Sequence, residues 1–92
     1  MAIYVKFMSY LSNITGTSEY HIKNPCKTME DVMEHLMDQF PDLREELFDE
    51  FGDIGYIYQI ILNGRRILWP GEKEISVLPG DEILFLAFLG GG

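Results

Sequence analysis

A chain of 92 residues, 47% apolar and with six Phe and five Tyr, can build one core and not two. Its formal charge of −8 opposes binding to nucleic-acid phosphates and to anionic membranes. One cysteine, Cys26, excludes an internal disulfide and by itself cannot hold zinc or an iron–sulfur cluster.

The opening "MAIYVKFMSYL" lacks a basic leader and a cleavage-site pattern, and no stretch reaches the roughly 18 continuous apolar residues of a membrane span. A cytoplasmic protein is therefore expected. Ile3, Val5 and Phe7 alternate with Tyr4, Lys6 and Met8, which predicts a strand from Ile3 to Leu11. "SNITGT" reads as a turn, and "SEYHIK" as the returning arm of a hairpin. His21, without a second His or Cys at ligand spacing, reads as a strand-surface residue. Cys26 in "NPCKT" reads as a buried or incidental thiol.

The period then changes. Met29, Val32, Met33, Leu36, Met37 and Phe40 form one helical stripe. Thr28 and Asp31 have the spacing of a capping box, and Glu30 and Asp31 suit the positive end of the helix dipole. His35, off the stripe, reads as exposed. Pro41 either ends this helix or opens a second short one through "DLREELFDEFG", stopped at Gly52. From Glu30 to Asp53 ten acids face Arg44 alone, a local charge of −9, read as a solvated helix face or as a docking face for a basic partner.

"YIYQIILNGRRIL" predicts a long strand and a hairpin at Asn63-Gly64. Pro70-Gly71 and Pro79-Gly80 mark reversals around a short strand near Ile75 and Val77, and the last strand is expected from Glu82 to Leu89. A hairpin, a helix and further strands bury their apolar faces best as a mixed sheet of four to five strands wrapped over one main helix. The expected fold is thus α+β, a β-grasp or ubiquitin-like roll. It forms one domain over 1–92, with 89–92 as an extended tail.

One helix covers one face of a sheet, so the other should read polar. Here Ile83, Phe85 and Ala87 alternate with Leu84, Leu86 and Phe88, apolar on both sides. Tyr56, Tyr58, Ile60 and Leu62 oppose Ile57, Gln59 and Ile61 in the same way. The surplus predicts a protein-binding patch beside the tail, unless the "RRILWPGEK" loop with Trp69 folds over it.

No nucleophile–base pair or phosphate loop stands out, and no catalytic residue is assigned. The unusual reactive group is the main-chain carboxylate of Gly92. Glycines without Cβ permit close backbone approach, and three of them extended reach roughly 10 Å. "LNGRRI", "LPGDEILFLAFLGGG" and the element order resemble the MoaD/ThiS family of ubiquitin-like sulfur carriers, closest to the molybdopterin synthase small subunit. The resemblance implies that an E1-like (MoeB/ThiF-like) enzyme adenylates Gly92 with Mg-ATP and that a thiocarboxylate follows, with no tightly bound cofactor on this chain. It implies that Gly90 and Gly91 thread into the partner, and that Leu84, Leu86, Phe88 and Leu89 contact it. The sulfur acceptor would be a molybdopterin synthase large subunit (MoaE-like) or, in thiamin synthesis, the thiazole synthase. A ubiquitin-type modifier joined to lysines and a plain β-grasp interaction domain are the rival readings.

Overall fold

A computed structural model of the chain describes residues 2–88. Five strands make one mixed sheet: β1 (Ile3–Phe7), β2 (Glu19–Ile22), β3 (Tyr58–Leu62), β4 (Arg65–Ile67) and β5 (Glu82–Ala87). Their spatial order is β2-β1-β5-β3-β4. The last strand is central and runs parallel to β1 (Val5 opposite Ile83) and antiparallel to β3 (Ile60 opposite Phe85). Central parallel strands are the most apolar in a sheet, which fits the double-sided apolarity of "ILFLA".

Helices α1 (Leu11–Thr15), α2 (Met29–Gln39) and α3 (Pro41–Leu47) form the second layer. Between the layers, Val5, Leu11, Met29, Val32, Leu36, Leu43 and Ile83 are fully buried. The stripe on α2 enters the core as its spacing requires. Its first turn carries the capping box: Thr28 Oγ1 accepts from the Asp31 N–H at 3.3 Å, and Asp31 Oδ2 accepts from the Thr28 N–H at 3.2 Å. Pro41 opens α3 from its first position, where its missing N–H costs nothing.

The structure departs from the expectations in several places. The first strand stops at Phe7, because Leu11 begins a helix and is wholly buried by it. "SNITGT" is that helix and its end, closed by Gly16 at φ +80°. Helix α3 ends at Leu47, well before Gly52, because Phe48 turns extended and Asp49 Oδ1 accepts from the Phe51 and Asp53 N–H groups. The segment near Ile75 makes a single bridge, Thr28 to Ser76, and no strand. His35 is half-buried, and its Nε2 is 2.9 Å from the Tyr20 hydroxyl. Cys26 is half-buried, and burial, then Asp31, pushes its thiol pKa up. The expected tail over 89–92 lies outside the described residues.

Candidate functional site

The site is built around β5, and its geometry begins at the turn that launches the strand. Leu78 O accepts from the Asp81 N–H across Pro79-Gly80, with Gly80 at φ +94°, a type II arrangement in which a side chain would be strained. Asp81 Oδ2 accepts from the Leu78 N–H at 2.8 Å and its Oδ1 from Asn63 Nδ2 at 3.0 Å. Asn63 itself sits in the β3–β4 hairpin at φ +49°, beside Gly64 at +85°, the two positive values of a type I′ turn. The Gly-Asp-Glu segment therefore fixes where β5 begins.

The other end of β5 is held on three sides. The Phe88 N–H donates to Ile57 O at 2.6 Å and the Met8 N–H to Phe85 O at 2.8 Å. Ser9 Oγ donates to Ala87 O at 3.3 Å. Beneath, on the helix side, the buried Tyr58 hydroxyl donates to Glu46 of α3 and lies within hydrogen-bond reach of the Tyr10 hydroxyl. Burial pushes the Tyr58 hydroxyl far above the usual phenol range, and the Glu46 carboxylate adds to the effect. This cluster joins α3, β3 and the segment after β1 at the point where β5 leaves the sheet. No local sequence pattern announces it, because its three members come from distant segments.

On the open face of the sheet, pairing sets Lys6, Leu84, Ile61 and Arg66 in one row and Leu86 beside Gln59 in the next. Leu84 and Leu86 are half-buried. Met8 is 48% and Phe88 56% exposed, and by alternation from buried Phe7 and Ala87 both belong to this face. Toward the start of β5 the face turns polar: Tyr4 packs edge-on against exposed His21, and Lys6 Nζ is 3.6 Å from Glu82 Oε1. The apolar surplus is thus gathered toward the C-terminal end of β5. Trp69 does not cover it. Its ring packs edge-to-face against Phe48, 6.4 Å between centroids, among residues of α2 and α3 on the helix side.

Of the expected site residues, Leu84, Leu86 and Phe88 come together on one face. Leu89, Gly90, Gly91 and Gly92 lie outside the described residues. Sequence reading missed Met8 as a member of the patch, although its alternation with Phe7 placed it on the same side as Lys6. No helix is long and apolar enough to cross a membrane among the described residues.

A mixed sheet with a central parallel β1–β5 pair, one face closed by a main helix and the other left open, is the β-grasp fold of ubiquitin-like proteins. Among solved structures, the chain is similar to small archaeal modifier protein 1 from Methanosarcina acetivorans. That likeness has 27% identity and a TM-score of 0.77, covering 99% of this chain and 96% of the other. SAMP1 from Haloferax volcanii is 18% identical with a TM-score of 0.84, and both chains are covered in full. A Pyrococcus furiosus protein provisionally named molybdopterin converting factor, subunit 1, is 22% identical with a TM-score of 0.71, covering 95% and 97%. The chain's structural neighbours are ubiquitin-like carriers and modifiers of the MoaD/ThiS type, as the sequence resemblance led one to expect. By sequence it matches no family model and no curated protein.

Proposed function

We propose that this chain is a ubiquitin-like sulfur carrier acting through the main-chain carboxylate of Gly92, and that molybdopterin synthesis is the pathway it serves. The observation that carries the reading is the placement of β5. A central strand, fixed in register at its start by Asp81 and Asn63, brings an apolar open face to the point where the sequence continues through Leu89 into three glycines. Likeness to the molybdopterin converting factor subunit supports the choice of pathway.

A carboxylate resists nucleophiles until one oxygen becomes part of a leaving group. In the activating step, a Gly92 carboxylate oxygen bonds to the α-phosphorus of ATP and pyrophosphate departs. A sulfur nucleophile at the oxidation level of sulfide then attacks the carbonyl carbon, AMP leaves, and a thiocarboxylate remains. Mg-ATP and the catalytic groups belong to the E1-like (MoeB/ThiF-like) enzyme. This chain supplies a docking face, Leu84, Leu86 and Phe88 with Leu89 following, and a thread, Gly90 and Gly91, slim enough for a narrow site. The same face would then seat the tail in the acceptor, a MoaE-like large subunit.

The test is ATP–pyrophosphate exchange with a MoeB/ThiF-type enzyme, followed by intact-mass analysis after adding a sulfur donor. Exchange, and replacement of one oxygen by sulfur at Gly92, are expected. Absence of both with the wild-type chain, or equal reactivity after Gly92 is deleted or extended by one residue, would overturn the reading. The similarity to small archaeal modifier proteins supports a second reading, in which a lysine amine rather than sulfur displaces the leaving group. Branched Gly-Gly remnants on lysines of other proteins in the native host would single out that outcome.

A further inference from the structure

On the helix side, away from the open sheet face, lies a groove of about 610 Å³ between α2, the end of α3 and the β4–β5 connection. Met33 and Met37 form its floor, and the half-buried Phe48 and Trp69 its aromatic wall. Its rim is acidic. Glu30 is answered by Lys73 Nζ at 3.1 Å, but exposed Glu34, Glu45 and Glu50 have no cation within ion-pair distance among the described residues. Arg44 is the other cation on the rim.

We propose that this groove docks a basic amphipathic segment of a protein partner, its apolar side chains on Met33, Met37, Phe48 and Trp69 and its Lys or Arg side chains on Glu34, Glu45 and Glu50. Charge complementarity selects that occupant. Unpaired carboxylates around an apolar floor favour cationic side chains at the rim and repel acidic ones. Met33 and Met37 are almost wholly buried and close the floor, so the apolar contact falls chiefly on the aromatic wall, which receives both alkyl stems and cations. Because the helices cover one face of the sheet and the groove lies on their side, it can be filled while Leu84, Leu86 and Phe88 are engaged. The inference therefore stands apart from the chemistry at Gly92.

Trp69 is the chain's single tryptophan, so its emission reports on this groove directly. The probe is a synthetic helical peptide with leucines on one face and lysines on the other. A scrambled peptide of the same composition and an all-lysine peptide of the same charge are the controls. The expected result is a shift of Trp69 emission and amide perturbations confined to α2, α3 and the β4–β5 connection. Binding should weaken roughly tenfold in the Glu34→Lys, Glu45→Lys double variant, whose helical circular dichroism stays unchanged because both sites are exposed. Equal binding of the scrambled or all-lysine peptide would overturn the proposal, since general attraction to an acidic surface would then suffice. So would perturbations centred on β5, or an unmoved Trp69 signal.

Discussion

Asn63 and Asp81 clamp two turns together: Asn63 Nδ2 donates to Asp81 Oδ1 at 3.0 Å while Asn63 Oδ1 accepts from the next residue's N–H, Glu82, at 2.9 Å. The Asn63 N–H also donates to Glu82 O at 2.8 Å. The hairpin turn is thereby tied to the first residue of β5. Replacing Asp81 by Ala removes its bonds to the Leu78 N–H and the Asn63 amide, and because water can take its place at these exposed groups the expected cost is about 1 kcal/mol. A lowered urea midpoint with an unchanged slope would show it. Unaltered stability with lost activation would instead assign Asp81 to partner contact.

The cap of α2 predicts a pH dependence. Asp31 accepts from the Lys27 N–H at 2.8 Å and from the Thr28 N–H, and these two bonds, the Lys27 one first, hold its carboxyl below the ordinary range. Glu72 is lowered likewise, first by the Leu68 N–H and then by Arg65. A depressed folded-state pKa gives stabilisation that is complete above the unfolded value and lost as pH falls through about 4 and below. Thermal melts should therefore show Tm dropping in that window. Asp31→Asn should lower Tm at neutral pH and flatten the drop.

Elements whose chemistry is local were readable from sequence: the capping box, the α2 stripe and the Asn63-Gly64 turn each need only a few adjacent residues. The helix α1 was not, because Ser, Asn, Thr and Gly dominate "SNITGT" and suit turns. Its signal was tertiary: Leu11 is fully buried and Ile14 packs beside the same core. The groove walled by Phe48 and Trp69 was hidden for a related reason, since its sides come from three separate stretches. The open apolar face was legible, because "ILFLA" has no polar side to give to water.

Tyr58 is 8% exposed, and its hydroxyl donates to Glu46 beside Tyr10. Tyr58→Phe keeps the ring and removes those bonds, so a loss of about 1 kcal/mol is expected in chemical denaturation. The raised folded-state pKa keeps the phenol neutral where the unfolded chain ionises. That contribution is intact below pH about 10 and declines as pH rises beyond it. The variant should accordingly be less sensitive to alkali than the wild type, and a spectrophotometric titration should count one fewer late-ionising tyrosine.

Leu86 offers the sharpest separation of folding from docking. It lies on the open face opposite Gln59, half-buried, while its neighbours Phe85 and Ala87 point into the core. An arginine at this position can lay its stem along the sheet and keep its head in water, so Leu86→Arg should change stability by no more than about 1 kcal/mol. A charge in the centre of a desolvated contact is far more costly, so if the proposed activating enzyme docks on this face, kcat/KM for pyrophosphate exchange should fall by roughly tenfold or more, chiefly through KM. Glu74→Arg, an exposed change in the β4–β5 connection, is the matched control and should leave the exchange nearly unaltered. If the two variants behave alike, the open face is not the surface on which the proposed activating enzyme docks.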